Sequence, residues 1–125
     1  MLFDTDIFIW IQRGNKKAAL LVEKQTERYL SVQTYMELLQ GAKNKQQQDI
    51  IKKFIKNFDF RTIAFSENIG HRAAVYIDIY AFSSGLYAGD SIIAATAAEH
   101  QLILCTSNEK HFKVIQDIEL HIFKP

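Results

Sequence analysis

Short apolar runs alternate with longer amphipathic segments along this chain. The short runs predict strands at residues 2–5, 28–31, 61–63 and 101–106, with an edge strand at 119–122. Apolar residues at helical spacing predict helices over 7–11, 16–27, 34–42, 46–58 and 66–82, a further one from Asp90, and a short one near Asn108. Alternating strand and helix signals predict an α/β fold with a parallel sheet covered on both faces.

Size and composition fit a single domain spanning residues 1–125. The chain has a mass of 14.4 kDa, 48% hydrophobic residues, 5 glycines and 1 proline, so no stretch has the composition of a linker or a disordered tail. No apolar run is long enough to span a bilayer, and the N-terminus enters a strand without a signal-peptide pattern. We therefore expect a cytoplasmic protein with no membrane contact.

The net charge and the cysteine content argue against some classes of function. The formal net charge is only +1, which argues against a protein that grips nucleic acid over its whole surface. Local basic patches are still possible, for example at Lys43 and Lys45. The single cysteine, Cys105, lies in an apolar run and is expected to be a buried strand residue without a catalytic role.

Three acidic residues stand near strand ends or helix starts. Asp4 follows the first apolar run, Glu37 comes shortly after the second, and Asp90 opens an alanine-rich helical run that can pack close to a sheet. The carboxyl ends of parallel strands meet at one edge of a sheet, so we expect these side chains to converge. Clustered carboxylates favour Mg²⁺ or Mn²⁺, and the chain lacks a cysteine and histidine set for zinc. Metal-assisted phosphodiester chemistry is the first hypothesis.

Each acid also has an ordinary structural interpretation. Thr34 and Glu37 match a capping box, and Asp90 and Asp6 match N-caps that stabilise a helix by about 1 kcal/mol. Asp4 is harder to explain as a cap alone, because an ionised carboxylate at the end of a buried strand needs a cation or several donors.

Four segments, in order along the chain, resemble the motifs of PIN-domain proteins of the VapC toxin type. They are residues 3–7, 35–42, 89–97 and 104–112. The resemblance implies an α/β/α sandwich with a short, mainly parallel sheet and helices on both faces. It also implies a metal-dependent endoribonuclease that cuts structured RNA such as tRNA or rRNA, serves as the toxin of a type II toxin–antitoxin pair and is held by a cognate antitoxin.

The resemblance also assigns roles to residues. Asp4, Glu37 and Asp90 would hold Mg²⁺ or Mn²⁺ and, with Asn108, form the catalytic set. Many PIN domains carry a fourth acid where this chain has Asn108 and His111. Asn108 could bond a metal-bound water or a carboxylate, or simply cap the helix that follows. His111 is more often an ordinary helix residue, and the missing acid leaves the number of metal ions open.

Further residues are candidates for supporting roles. Thr5 and Thr106 carry hydroxyls close to the acids and could orient carboxylates or water, although β-branched residues are also common at strand ends. Asp6 and His111 complete this supporting set.

Two alternative functions differ in class from a nuclease. One is a weakly catalytic or non-catalytic PIN module that binds RNA or a protein partner, because the fourth acid is missing. The other is a phospho-receiver-like domain, which is disfavoured because no lysine directly follows the last core strand. We also expect a homodimer, because the apolar helix faces at residues 8–11 and 50–58 exceed what one short sheet covers.

Overall fold

A five-stranded parallel sheet forms the centre of the computed structural model, which describes all residues from Met1 to Pro125. The strand order is β3-β2-β1-β4-β5, and every neighbouring pair is parallel. The strands are β1 (Leu2–Phe3), β2 (Tyr29–Ser31), β3 (Arg61–Ile63), β4 (Leu104–Thr106) and β5 (Leu120–Ile122). The helices are α1 (Thr5–Gln12), α2 (Lys16–Lys24), α3 (Val32–Gly41), α4 (Lys45–Asn57), α5 (Glu67–Ser84), α6 (Ala88–Glu99) and α7 (Glu109–Phe112). The predicted α/β class and the edge position of the last strand are confirmed.

The central strands are buried on both faces. Successive side chains of a strand point to opposite faces, and Leu2 and Leu104 lie in one core cluster whereas Phe3 and Cys105 lie in the other. Helices α1 to α4 supply the second cluster, and α5 to α7 supply the first. The predicted α/β/α layering is therefore confirmed. Burial raises the pKa of the Cys105 thiol to about 12, which fits a packing residue.

Two strands are shorter than predicted by more than one residue. The first ends at Phe3 because Asp4 is the N-cap of α1 and its side chain accepts a hydrogen bond from the Thr5 N–H. The strand predicted over 101–106 begins at Leu104, since Gln101 has a φ of 53° and turns the chain after α6. Both differences arise from backbone conformations that apolar patterning does not report.

Most of the apolar residues on which the homodimer prediction relied pack in the core of one chain, although Ile50 is exposed. Phe8 of α1 and Ile51 and Ile55 of α4 are buried together, and the rings of Phe8 and Phe54 meet edge to face with centroids 6.2 Å apart. That argument for a dimer is wrong, although the oligomeric state itself is still a prediction. No helix is both long and apolar enough to cross a membrane.

Helix α6 packs closely on the core through small residues. Ala94, Ala95 and Ala97 are fully buried, and close approach is possible because each side chain is a single methyl group. At the C-terminal end of α6, Glu99 pairs with Arg72 of α5, which also pairs with Asp117. The helix that carries Asp90 is thus held along its length.

Candidate functional site

Asp4 lies at the carboxyl end of β1, where only 5% of its surface is exposed. Its Oδ1 accepts a hydrogen bond from the Thr5 N–H, and its Oδ2 accepts one from the Thr106 hydroxyl, both at 2.7 Å. Burial, followed by repulsion from the nearby Asp6 carboxylate, raises the pKa of Asp4 to about 8. Asp4 caps a helix, but capping alone does not offset the cost of burying its charge.

Glu37 lies in the second turn of α3 and faces the residue that follows Asp4. Its Oε1 accepts a hydrogen bond from the Thr5 hydroxyl, and its Oε2 accepts one from the Gln33 amide at 3.1 Å. The capping-box interpretation is wrong, because the N-cap of α3 is Ser31, whose hydroxyl accepts the Thr34 N–H at 3.0 Å. Glu37 therefore has no capping role.

Asp90 is the third residue of α6, and Tyr87 occupies the N-cap position. The Oδ2 of Asp90 accepts the Tyr87 N–H at 3.2 Å and lies 2.9 Å from the His111 Nδ1. The prediction that Asp90 is itself the N-cap is wrong, although its carboxylate does satisfy the N-cap backbone. Its charge also contributes to the raised pKa of Asp4, so the two carboxylates belong to one electrostatic cluster.

A glycine lets the Glu37 and Asp90 segments approach each other. A Cβ atom on Gly89 would lie 2.8 Å from Glu37 Oε2 and 3.2 Å from Gln33 Nε2, so a side chain here would displace Glu37 and Gln33 from their present positions. This role was not predicted from the sequence. The signal was the glycine that directly precedes the acid.

Asp6 ties α1 to the loop after β4. Its Oδ2 accepts hydrogen bonds from the backbone N–H and the hydroxyl of Ser107, whereas its Oδ1 is buried without a hydrogen-bond partner. Burial raises the pKa of Asp6, and the Ser107 hydrogen bonds counteract part of that shift. The N-cap prediction for Asp6 is wrong because Asp4 holds that position. Ser107 was also missed, since a lone serine in a loop carries no distinctive pattern.

The segment after β4 carries Asn108 and His111, which make different contacts in the site. Asn108 occupies the N-cap position of α7, but its side chain makes no capping bond and lies 2.8 Å from the His111 Nδ1. The Asn108 N–H donates to the Thr106 hydroxyl at 3.0 Å. His111 is thus the residue that contacts an acid directly, and Asn108 contacts the histidine.

The fold and site define an α/β/α domain whose acidic side chains gather at the carboxyl edge of a parallel sheet. The chain belongs to the PIN domain family, whose sequence model matches residues 1–117. The family resemblance inferred from the four segments is therefore confirmed. PIN domains are in general nucleases, so membership gives the chain a nuclease-type fold.

Solved structures similar to this chain include toxin–antitoxin complexes. A chain of a toxin–antitoxin complex from Klebsiella pneumoniae has 31% identity and a TM-score of 0.78, with 94% of this chain and 93% of that chain covered. A chain of VapBC2 from Rickettsia felis, bound to a promoter DNA fragment, has 22% identity, a TM-score of 0.80 and 98% coverage of both chains. A chain of VapBC-1 from nontypeable Haemophilus influenzae has 22% identity and a TM-score of 0.77, with 97% and 96% covered. No curated protein sequence matches the chain.

A divalent cation fits the donor chemistry of this site. Asp4, Glu37 and Asp90 offer hard carboxylate oxygens, and the buried Oδ1 of Asp6 lacks a partner. A cation would also offset the burial that raises the pKa of Asp4. No three acidic, histidine or cysteine side chains form a ready-made ligand set. Binding would require some of these side chains to turn.

Proposed function

We propose that this protein is a Mg²⁺- or Mn²⁺-dependent endoribonuclease and the toxin of a type II toxin–antitoxin pair. The observation that supports the proposal is the hydrogen bond between Thr5, the neighbour of Asp4, and Glu37, together with the close approach of Gly89, the neighbour of Asp90, to the same Glu37 carboxylate. Three chain segments far apart in sequence thereby deliver their acids to one edge of the sheet. PIN domains typically use divalent metals.

The roles of the residues follow from their contacts. Asp4, Glu37 and Asp90 would hold the ion, which when bound supplies an activated water and neutralises charge on the phosphate. Thr5 and Thr106 donate hydrogen bonds to the carboxylates and so fix their orientation. One carboxylate of the set accepts the proton of the attacking water. No protein nucleophile is needed.

A nucleic-acid substrate is supported by the distribution of basic side chains. Helix α4 exposes Lys45, Lys52, Lys53 and Lys56, whereas Asp49 is its only acid. No lysine forms an ion pair with a carboxylate, since the ion pairs of the structure involve only Arg72 and His111. Unpaired lysines on one helix are available to a phosphate backbone. A structured RNA such as tRNA or rRNA is large enough to touch both this helix and the site.

A cognate antitoxin is proposed as the partner. The complexes from Klebsiella pneumoniae, Rickettsia felis and Haemophilus influenzae pair chains of this fold with antitoxins or are VapBC assemblies. An arginine or lysine of the partner, placed among Asp4, Glu37 and Asp90, would neutralise the same charges as the cation. Such a partner would keep RNA cleavage in check in the cytoplasm.

A non-catalytic PIN module is the second candidate. It is favoured by the absence of a ready-made ligand set and by Asn108 in place of a fourth acid. Such a module would bind RNA or a protein but would not hydrolyse RNA when a cation is supplied.

The deciding experiment measures cleavage of total tRNA and rRNA by purified protein with Mg²⁺, with Mn²⁺ and with EDTA. We expect cleavage only with the cation, and a loss of at least about 100-fold for Asp4→Asn, Asp90→Asn and Glu37→Gln, because each amide keeps the shape and removes the charge. Glu23→Gln, on the exposed face of α2, is the matched control and should cleave normally. Cleavage that persists in EDTA would contradict metal dependence, and RNA binding without cleavage would favour the non-catalytic module.

A further inference from the structure

The imidazole of His111 contacts two neighbours through the same ring nitrogen. Its Nδ1 lies 2.9 Å from Asp90 Oδ2 and 2.8 Å from the side-chain amide nitrogen of Asn108. The ring is largely buried, with 21% of its side chain exposed, and it meets the Tyr87 ring edge to face with centroids 5.8 Å apart. The ring is therefore fixed from several sides and cannot turn freely away from Asp90.

The position of one proton decides what this contact does. An ionised carboxylate only accepts hydrogen bonds, whereas a ring nitrogen donates when it carries a proton and accepts when it does not. If Nδ1 carried no proton, its lone pair would face the lone pairs of Asp90 Oδ2 at 2.9 Å. A proton on Nδ1 removes that repulsion. Asn108 then joins the network by a half turn of its amide, which presents its carbonyl oxygen to the same proton.

We propose that His111 is a positioning residue that aims Asp90 by donating its Nδ1 proton to Oδ2. The Tyr87 N–H donates to the same oxygen at 3.2 Å. Oδ1 of Asp90 has no comparable partner and stays available to a cation. This inference rests on the proposed function, in which Asp90 is a metal ligand. Removing a residue that orients a metal-ligating side chain through a hydrogen bond typically weakens metal affinity by about 10- to 100-fold.

The same contact explains how this chain works without the fourth acid. A further carboxylate would add negative charge beside Asp4, whose pKa is already raised by burial and neighbouring acids. An imidazole that donates from Nδ1 orients Asp90 without adding negative charge. Asn108 then acts on Asp90 only through the histidine.

The test measures the Mn²⁺ affinity of the purified protein without RNA, by electron paramagnetic resonance of free Mn²⁺. Asparagine can place its amide N–H near the position of Nδ1, whereas the longer glutamine side chain places its amide near Nε2. We expect His111→Ala and His111→Gln to weaken Mn²⁺ binding by at least about 10-fold, and His111→Asn to stay within about 3-fold of the native protein. Native affinity in the alanine variant, or equal loss in the asparagine and glutamine variants, would overturn the proposal.

A second measurement needs no metal, and it tests the hydrogen bond from His111 to Asp90 separately from the proposed metal-dependent function. Long-range ¹H–¹⁵N spectra of the metal-free protein report which ring nitrogen of His111 carries a proton. We expect the proton on Nδ1, and a bare Nδ1 would overturn the proposal. If the native protein does not bind Mn²⁺ although Nδ1 is protonated, the proposed metal-dependent function fails while the hydrogen bond to Asp90 stands. Melting temperatures in EDTA within a few degrees of the native value confirm that the variants fold.

Discussion

The hydroxyl of Thr106 donates a hydrogen bond to Asp4 Oδ2 at 2.7 Å and joins residues that are 102 positions apart. Thr106 is the last residue of β4 and Asp4 directly follows β1, and these two strands are parallel neighbours. The same hydroxyl accepts the Asn108 N–H. A single buried oxygen thus connects the most buried acid of the site to the segment that carries Asn108 and His111.

Replacing Thr106 with valine removes this connection and keeps the shape of the side chain. We expect activity to fall by at least about 10-fold, because Asp4 loses a donor that orients it. Loss of the buried bond should also lower the free energy of unfolding by about 1 to 3 kcal/mol. Thr96→Val is the matched control, since it removes a buried hydroxyl that bonds only the Ile92 carbonyl within α6. Equal loss of activity in both variants would assign the effect to general destabilisation.

Gly89→Ala should separate activity from stability. The added Cβ would lie 2.8 Å from Glu37 Oε2, and the Glu37 side chain must move to relieve the clash. Because alanine favours a helix over glycine by about 1 kcal/mol, we expect a melting temperature that is unchanged or higher and activity at least about 10-fold lower.

Gly70→Ala is the control for that variant, because Gly70 lies in α5 with no atom within 4 Å of its added Cβ. It should gain the helix propensity without losing activity. Full activity in Gly89→Ala would mean that the position of Glu37 is not important for cleavage.

The stability of the metal-free protein should fall as the pH rises from about 4 to about 8. The pKa of Asp4 is about 8 in the folded protein, whereas an unperturbed aspartate has a pKa of about 3.9. Between these values the folded state binds more protons than the unfolded state, so the free energy of unfolding decreases with pH. The raised pKa of Asp6 acts in the same direction.

The measurement compares melting temperatures of the native protein and Asp4→Asn in EDTA across that pH range. The difference between the two isolates the contribution of Asp4, and it should favour the variant increasingly as the pH rises. Added Mg²⁺ should stabilise the native protein more at high pH, since ions bind the charged carboxylate. A constant difference between the two proteins would show that Asp4 titrates normally.

We propose that the homodimer forms through the outer face of α5. Val75, Ile79 and Phe82 follow helical spacing and are all exposed, Phe82 completely. Light scattering should give twice the 14.4 kDa chain mass, and Ile79→Asp should give the monomer. Ile50→Asp on α4 is a matched control, because Ile50 is 59% exposed and Ile79 is 58% exposed. A native monomer, or dissociation by the control substitution, would contradict this interface.

The sequence predicted the site at the level of strand ends and helix starts. Asp4, Glu37 and Asp90 were found because parallel strands bring their carboxyl ends to one edge, and Thr5 and Thr106 because their hydroxyls stand next to those ends. These placements depend only on the order of strands and helices, which apolar periodicity indicates directly.

Other features depend on backbone angles and on pairs distant in sequence. The Thr34 and Glu37 pattern fits a capping box, but the extended backbone of Ser31, which ends β2, makes that residue the N-cap. Likewise, the α1 and α4 faces look unpartnered in sequence although they pack on each other. Nothing in the local sequence indicates which distant helix covers an apolar face.

The position of β1 in the middle of the sheet affects when a newly made chain can act. Its partners are β2, which follows within 31 residues, and β4, which ends at Thr106. Chains are synthesised from the N-terminus, so a chain grown only to the end of α5 contains Asp4 and Glu37 but lacks Asp90 and β4. The proposed nuclease therefore cannot assemble its site until Asp90 and β4 have been synthesised, so a ribosome that carries a shorter chain does not face an active enzyme.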